Sequence, residues 1–265
     1  MARILITGSA DGLGLASAKV LVANKHTVYL HARSAARAAE AKAACPGAAG
    51  VLVADLTSVA ETRKLADEAN AIGRFDAVIH NAGLMAGGFR KTADIGVPAL
   101  VAVNVVAPYI LACLLTPPAR HIFISSTLHR QSNAESCSDI FWRTRGEAPW
   151  ADFPAYCDSK LHVLLIANAL ARRQPDVCVS SVHPGWIATK LGGESAPDSI
   201  EDGVETYVML AEGDYDTSLT GKFWDPKRKM VDPLPVAGDV DRQEEVVKAC
   251  KELTGLELPS SSSKL

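Results

Sequence analysis

Short runs of apolar residues alternate with longer segments of helical periodicity through the first two-thirds of the chain. The apolar runs predict seven strands, at residues 3–6, 27–31, 50–54, 75–80, 121–125, 177–182 and 221–224. The remaining patterns predict helices at residues 12–24, 34–44, 58–72, 98–115, 154–173, 200–211 and 244–253. Strands that alternate with helices of ten or more residues are typical of β-α-β units. Because such crossovers are right-handed, we expect a doubly wound α/β domain with a seven-stranded parallel sheet and helices on both faces.

One segment, residues 129–153, interrupts this alternation. It is rich in polar residues but carries Phe141, Trp142 and Trp150. Loops of this length are usually functional or disordered. The three aromatic side chains favour a packed lobe or a lid over a pocket, and a surface excursion with a small core of its own explains them about as well.

The composition agrees with one large α/β domain. The chain has 265 residues, and 48% of them are hydrophobic, which is enough for a sheet buried on both faces. Since there is neither an internal repeat nor a linker, residues 1–259 are predicted to form a single domain that includes the insertion. The net charge of −3 gives no basic footprint, so no nucleic-acid partner is expected.

Two further patterns argue against other classes of protein. The longest apolar stretch, at residues 97–115, is broken by Pro98, Asn104 and Pro108, so it is not expected to span a membrane. The six cysteines occur singly, without a C-x-x-C pair. This usage favours reduced thiols in an intracellular protein over disulfides or a zinc site, and no metal is predicted.

The last residues of the sequence resemble a targeting signal. The tripeptide Ser263-Lys264-Leu265 is bound by the peroxisomal import receptor when it is free at the end of a chain. A run of serines precedes it, which predicts a flexible tail at residues 260–265. We therefore expect a peroxisomal protein if the organism is eukaryotic, and a cytoplasmic protein otherwise.

A glycine-rich turn joins the first predicted strand to the first helix. Its sequence is Thr7-Gly8-Ser9-Ala10-Asp11-Gly12-Leu13-Gly14. Gly8 lets the chain turn tightly, while Gly12 and Gly14 let the backbone approach a pyrophosphate and let the helix pack on the strand. The amides at the helix N-terminus are oriented toward such phosphates. The turn therefore predicts a dinucleotide site.

Tyr156 and Lys160 form the second informative pattern. Two residues four apart in a helix lie on one face. An ammonium held beside a phenol favours the phenolate, so the phenol becomes a better proton donor near neutral pH. The pair predicts acid–base chemistry.

Together these motifs resemble the short-chain dehydrogenase/reductase family. The spacing Thr-Gly-x-x-x-Gly-x-Gly is similar to that family's, and further matches follow in the family's order at Asp55-Leu56, Asn81-Ala82-Gly83, Asn104, Ser125-Ser126, Tyr156/Lys160 and His183-Pro184-Gly185. The segments 28–33, 155–161 and 182–185 look most like its retinol-dehydrogenase-like branch. The resemblance covers nearly the whole chain and implies a single Rossmann-type domain.

The resemblance implies four catalytic residues. Ser126 would hydrogen-bond the substrate carbonyl, and Tyr156 would be the acid for reduction and the base for oxidation. Lys160 would bind the nicotinamide ribose, and Asn104 would hold a water that joins Lys160 to solvent. An Asn inside an apolar helix is costly, which a role in the site would explain, although it could instead cap or kink the helix.

The resemblance also implies a cofactor site along the carboxyl edge of the sheet, where doubly wound folds bind ligands. Asp55 would contact the adenine ring, Asn81-Ala82-Gly83 would line the adenine ribose, and the segment after the sixth strand would reach the nicotinamide amide. The residues implied are Gly8, Ser9, Asp11, Gly12, Leu13, Gly14, Asp55, Leu56, Asn81, Ala82, Gly83, Tyr156, Lys160, Pro184, Gly185 and Thr189.

Cofactor choice depends on the end of the second strand. An acidic residue there would bind the ribose 2′-hydroxyl of NAD, but this chain has Arg33 and Ser34. An Arg can pair with a 2′-phosphate, and Ser34 adds a donor at a helix start. We therefore predict NADP(H), with NAD(H) possible. Asp11 argues against this preference, because many NADP-preferring relatives carry a basic residue in the turn. Arg33 could also be only a solvated charge.

The resulting hypothesis is an NADP(H)-dependent carbonyl reductase or alcohol dehydrogenase. Its substrate would be a small or medium hydrophobic ketone, aldehyde or secondary alcohol. Two alternatives stay open: a non-redox enzyme that uses Tyr156 as an acid or base, and a dinucleotide-binding sensor without turnover. The sensor predicts a defective Tyr/Lys pair, whereas both residues are kept here.

Several assignments remain open at this stage. The helices around Asn104 and after Tyr156 are apolar enough to pair in a homodimer or homotetramer, but they must also pack on their own sheet. Trp186 and Trp224 could line the pocket or fill the core. Three further residues could approach the pocket, although a lone histidine is more often structural: His129, Arg130 and His183.

Overall fold

The computed structural model describes residues 1–261 and contains one eight-stranded sheet. Its order is β3-β2-β1-β4-β5-β6-β7-β8. The strands are β1 Arg3–Ile6, β2 Thr27–Ala32, β3 Gly50–Val53, β4 Ala77–His80, β5 Arg120–Ile124, β6 Cys178–Val182, β7 Lys222–Asp225 and β8 Lys229–Val231. The strand order reverses between β1 and β4, which is the position where such sheets bind ligands.

The predicted seven parallel strands are confirmed, and an eighth strand was missed. β8 pairs antiparallel with β7, so that Trp224 lies opposite Met230. The turn between these strands has positive φ angles at Lys227 (62°) and Arg228 (58°). Since β8 has three residues and two of them are exposed, it carries no buried alternation that a sequence pattern could detect.

Helices cover both faces of the sheet, as predicted. They are α1 Gly12–Ala23, α2 Ala35–Ala44, α3 Val59–Ile72, α4 Ala99–Val101, α5 Ala107–Leu114, α6 Asp152–Arg173, α7 Ile200–Glu212 and α8 Val240–Thr254. A π turn, Ala102–Val106, joins α4 to α5 within the segment predicted as one helix. Apolar residues of α1 and α7 pack on one face of the sheet, and those of α3, α5 and α6 pack on the other.

The insertion at residues 129–153 is packed on α6 rather than around a core of its own. Phe141 and Trp142 are buried in the same apolar cluster as α6 and α8. Polar contacts reinforce this packing, because Ser136 Oγ lies 3.0 Å from His162 Nε2 and Arg145 Nη1 donates to Asp158 at 3.0 Å. Of the two interpretations, the geometry favours a packed lobe.

Helix α8 lies on the outer side of α6. The side chain of Asn168 donates to the carbonyl of Ala237, in the turn before α8, at 2.8 Å, and Arg173 forms an ion pair with Glu244 of α8. Apart from Asn168, every residue of α6 from 155 to 171 is buried. Helix α6 therefore has little free surface along this length.

Three sequence predictions concern a membrane span, a metal site and the C-terminal tripeptide. Within residues 1–261, no helix is long and apolar enough to cross a bilayer. Over the same residues there is no group of three or more His, Cys, Asp or Glu side chains that could hold a metal. The tripeptide Ser263-Lys264-Leu265 lies outside the described residues, and peroxisomal targeting stays a prediction.

Candidate active site

The glycine turn after β1 is packed tightly against the segment after β4. Gly8 has a φ of +62°, and a Cβ there would lie 2.7 Å from the Cα of Ala82. A Cβ at Gly14 would lie 2.6 Å from Nδ2 of Asn81. That amide donates to the carbonyls of Thr7 (2.9 Å) and Gly8 (3.0 Å). Only glycine fits at these positions, and the side chain of Asn81 holds the turn.

Ser9 and His31 also build the turn, and His31 was not identified from the sequence. The Ser9 hydroxyl is fully buried, donates to the carbonyl of Ile6 at 2.8 Å and accepts from the His31 amide at 2.9 Å. His31 Nδ1 accepts from the Gly8 amide at 2.9 Å. Burial lowers the pKa of His31 to about 4, so the ring is neutral at pH 7. The Ser9 side chain is thus hydrogen-bonded inside the turn, and its contact with a cofactor stays a prediction.

Asp11, at the N-cap of α1, is neutralised by two cations. Its carboxylate forms ion pairs with Arg37 of α2 and with Lys190, whose Nζ lies 2.9 Å away. Arg33 is exposed at the end of β2, and no ion pair to it is found among the described residues. Ser34 caps α2 by accepting from the Arg37 amide at 3.4 Å. The sequence did not single out Arg37, because its partner is distant along the chain.

The segment after β3 forms a turn of its own. Asp55 Oδ1 accepts from the amide (2.9 Å) and the hydroxyl (2.8 Å) of Thr57. Leu56 is buried in the apolar cluster that includes α3 and α5. The contact of Asp55 with an adenine ring stays a prediction.

Ser126, Tyr156 and Lys160 lie together beyond the end of β5. Ser126 follows β5 and caps a short 3₁₀ helix, Thr127–Gln131. Lys160 Nζ lies 5.4 Å from the centre of the Tyr156 ring and donates to the carbonyl of Ile124 at 2.8 Å. Tyr156 and Lys160 are both buried, with 6% and 3% of their surface exposed.

Burial dominates the titration of this pair. It raises the pKa of Tyr156 to about 12, and the hydrogen bond with the Ser126 side chain acts weakly in the opposite direction. It lowers the pKa of Lys160 to about 8. The sequence-based expectation of a more acidic phenol does not hold for the protein without ligand, because desolvation outweighs the hydrogen bond with Ser126. At neutral pH Tyr156 holds its proton.

Asn104 lies in the π turn and joins three parts of the site. Its Oδ1 accepts from the amide of Leu84, and its Nδ2 donates to the carbonyl of the same residue, both at 2.8 Å. Nδ2 also donates to Ser159 Oγ at 2.9 Å, one residue before Lys160. A Cβ on Gly83 would lie 3.5 Å from Asn104 Oδ1 and 3.6 Å from Lys160 Nζ. The side chain thus connects the β4 segment to α6 rather than capping its own helix. A π turn is frequently found at a functional site.

The segment that follows β6 begins beside Thr127, the neighbour of Ser126, and then returns to the glycine turn. His183 Nε2 lies 3.5 Å from Thr127 Oγ1, and burial lowers the pKa of His183. Gly185 has a φ of +98°. Further along, Thr189 Cγ2 would lie 3.5 Å from a Cβ on Gly12. Pro184, Gly185 and Thr189 thus lie on the segment that connects the surroundings of Ser126 with the glycine turn, and their contact with a nicotinamide stays a prediction.

Of the four remaining candidates, two are structural and two are exposed. His129 is buried, its Nε2 accepts from the amide of Leu234 at 3.0 Å, and its ring packs edge-on against Phe223. Trp224 is buried in the core, whereas 55% of Trp186 is exposed. Arg130 lies on the surface against the carbonyl of Asp232. A cavity of about 430 Å³ lies between α1 and α7, and none of the candidate site residues lines it.

Comparisons with known proteins agree with this geometry. Residues 2–138 match the family described as short chain dehydrogenase. Short-chain dehydrogenase chry4 of Gibberella zeae is 64% identical over 98% of this chain and 100% of that protein. Short-chain dehydrogenase chyC of Penicillium rubens is 65% identical with the same coverage, and human retinol dehydrogenase 13 is 27% identical over 97% and 86%.

A solved structure shows the same fold over nearly its full length. An uncharacterized protein from Mycobacterium paratuberculosis superposes with a TM-score of 0.82 at 26% identity, covering 98% of this chain and 95% of that one. Its sheet and helices therefore follow the same path as those described above.

Proposed function

This chain belongs to the short-chain dehydrogenase/reductase family and is an NAD(P)-dependent oxidoreductase, and we propose that it uses NADP(H) with a small to medium hydrophobic ketone, aldehyde or secondary alcohol. The observation that carries the proposal is the buried group of Ser126, Tyr156 and Lys160 at the carboxyl edge of the sheet.

The geometry of the glycine turn supports the binding of a dinucleotide there. Gly12 has a φ of +53°, and the N-cap residue Asp11 makes no side-chain bond to the first turn of α1. The first amides of α1 are thus left for a pyrophosphate. We expect Gly12, Gly14 and the α1 amides to hold it, with Asn81 and Gly8 keeping the turn in place. When bound, the nicotinamide supplies or accepts the hydride.

Tyr156 and Ser126 would act on the substrate oxygen. Hydride delivery to a carbonyl carbon leaves an alkoxide, which needs a proton and hydrogen-bond donors. Tyr156 Oη keeps its proton at neutral pH and would transfer it to that oxygen, while Ser126 Oγ donates a hydrogen bond to the same atom. Lys160 Nζ, whose pKa is lowered to about 8, would restore the proton of Tyr156. In the oxidative direction Tyr156 would accept the proton.

The preference for NADP(H) rests on charges at the end of β2. Arg33 is exposed and unpaired among the described residues, and Ser34 lies at the N-terminus of α2. Both suit a 2′-phosphate. The objection raised by Asp11 is weakened, because Arg37 and Lys190 compensate its charge.

The proposal is tested by the absorbance of the reduced nicotinamide. Purified protein is mixed with NADPH or NADH and a panel of ketones, aldehydes and quinones. We expect NADPH consumption on part of the panel, and Tyr156→Phe should lower kcat by about 10²- to 10⁴-fold, the usual contribution of a general acid. Tyr29→Phe is the matched control, because Tyr29 lies on β2 with its ring packed on Phe75. Its activity should be unchanged.

Three results would change the conclusion. NADPH binding without consumption on any carbonyl would overturn the proposed reaction and favour a non-redox enzyme or a sensor. Full activity in Tyr156→Phe would show that another group delivers the proton. Faster turnover with NADH would overturn the cofactor preference and leave the reaction in place.

A further inference from the structure

Trp186 is exposed yet held in one position. Its indole Nε1 donates to the carbonyl of Gly192 at 2.7 Å, and its backbone amide donates to Asp198 at 2.6 Å. Burying a large aromatic surface is strongly favourable, so leaving 55% of this side chain in water forgoes much of that gain. An exposed aromatic residue that is fixed by its surroundings is suited to bind a ligand, because little conformational freedom is lost on binding.

Gly192 is what lets the segment close under the indole. A Cβ there would lie 2.1 Å from the carbonyl oxygen of Ile187 and 3.4 Å from Cδ1 of Trp186. No other residue fits at that position without moving the backbone. The anchor of Trp186 is therefore built into the segment and is not an accident of one side-chain rotamer.

The position of Trp186 relates it to the reacting groups. Three residues before it, His183 lies 3.5 Å from Thr127, which directly follows Ser126. Three residues after it, Thr189 lies against Gly12. Trp186 thus lies on the segment that starts beside Thr127, the neighbour of Ser126, and reaches the glycine turn at Thr189.

Phe153 is the matching residue on the other element of the site. It is 45% exposed and precedes Tyr156 by three residues in α6, so both lie on one face of the helix. Within residues 1–261, Phe153 and Trp186 are the two exposed members of the Phe, Tyr and Trp set. Each lies three residues along the chain from a residue described at the site, Phe153 from Tyr156 and Trp186 from His183.

We propose that Trp186 and Phe153 bind the ring of a planar, aromatic carbonyl substrate and so determine the substrate class. The inference rests on the proposed oxidoreductase function. Aromatic rings attract each other edge-on or offset-stacked, beyond the benefit of buried area, whereas a puckered aliphatic ring gains only the area. The two exposed rings would therefore select a flat, aromatic substrate over an aliphatic one of equal size.

The experiment compares acetophenone with cyclohexyl methyl ketone, which have the same number of carbon atoms. Steady-state kinetics with NADPH are measured for the wild type, Trp186→Ala, Phe153→Ala and Trp186→Phe. In each alanine variant we expect the KM for acetophenone to rise about fivefold more than the KM for the cyclohexyl ketone. Because variants are compared, the different intrinsic reactivity of the two ketones cancels. The kcat and the Kd of NADPH should stay within twofold of the wild type.

Two controls separate recognition from folding. Trp186→Phe keeps a ring and loses the bond to Gly192, so its KM for acetophenone should lie closer to that of the wild type than to that of Trp186→Ala. Val240→Ala removes an exposed apolar side chain of α8, a helix that carries none of the candidate site residues, and should change neither KM.

The proposal is overturned if the alanine variants raise the KM of both ketones by the same factor. It is also overturned if the Kd of NADPH rises and the KM values do not. The first result would make the two rings a general apolar rim, and the second would assign Trp186 to the cofactor. If Tyr156→Phe abolishes turnover of both ketones in either case, the proposed function still stands. If the wild type binds NADPH but reduces neither ketone, this inference is overturned, and the wider carbonyl panel decides the proposed reaction separately.

Discussion

Lys160 is a buried cation at the centre of the candidate site. It has 3% of its surface exposed, and its Nζ donates to the carbonyl of Ile124. Burial disfavours the charged form and lowers its pKa from the ordinary 10.5 to about 8. At pH 7 the side chain is still protonated, so the fold bears the cost of a desolvated charge. That difference in pKa corresponds to about 3 kcal/mol.

Replacing this lysine should stabilise the protein in a pH-dependent manner. Between pH 8 and 10.5 the unfolded chain binds the Lys160 proton and the folded chain does not, so wild-type stability rises with pH across that window. Lys160→Met lacks this contribution. We expect the variant to exceed the wild type by up to about 3 kcal/mol in free energy of unfolding at pH 7, with the difference vanishing near pH 10.5. Urea unfolding at several pH values measures this.

An exposed lysine provides the control for that series. Lys248 on α8 has 77% of its side chain exposed. Lys248→Met should track the wild type at every pH. If Lys160→Met is less stable than the wild type at pH 7, the hydrogen bond to Ile124 outweighs the burial of the charge.

At the level of single residues, the sequence located the polar groups but not their environments. The pair Tyr156/Lys160 was found from helical spacing, which depends only on neighbours in the chain. The raised pKa of Tyr156, the buried hydroxyl of Ser9 and the bond from Gly8 to His31 depend on groups that only folding brings together. No local pattern contains that information.

Among the elements, the glycine turn has the strictest steric requirement. Gly8 and Gly146 have similar positive φ angles, +62° and +69°. A Cβ at Gly8 would meet the Cα of Ala82 at 2.7 Å, whereas at Gly146 there is open space within 4 Å. The two positions therefore share the backbone strain and differ in the clash.

This pair predicts different outcomes for the same substitution. Gly146→Ala should cost about 1 kcal/mol in free energy of unfolding, from strain alone, and leave the Kd of NADPH unchanged. Gly8→Ala should cost roughly 1–3 kcal/mol more, because Ala82 must move, and it should weaken NADPH binding at least tenfold. Thermal unfolding and fluorescence titration measure both. Equal effects of the two substitutions would refute the steric argument.

Sequence patterns predicted long elements better than short or irregular ones. The seven parallel strands and most helix positions were correct, because each buries a periodic apolar face against the sheet. The π turn at Ala102–Val106 was missed, since this segment is apolar and buried almost throughout and has no polar face whose rotation would reveal the extra residue. The insertion could not be placed, because what its aromatic residues pack on is α6, later in the chain.

For the molecule as a whole, α8 changes the expected oligomeric state. The sequence suggested that the helices around Asn104 and after Tyr156 could pair between subunits. In the structure α6 is covered by α8 and the insertion, and the hydroxyl of Tyr109 on α5 donates to the carbonyl of Leu256 at 2.8 Å. Surfaces already buried within one chain are not free for a partner.

We therefore predict a monomer in solution. Size-exclusion chromatography with light scattering should give a mass near 28.0 kDa at micromolar concentration. A larger mass, together with protection of α5 and α6 from hydrogen exchange that increases with concentration, would contradict the prediction.

The cover that α8 gives to α6 also has a consequence for synthesis. Helix α6 leaves the ribosome before β6, α7, β7 and β8 have been translated, and α8 follows all of them. Until then the apolar outer side of α6 faces water in the nascent chain, where it can bind a chaperone or another unfinished chain. The time for which the growing protein needs chaperone protection is thus set by how fast the ribosome reaches α8.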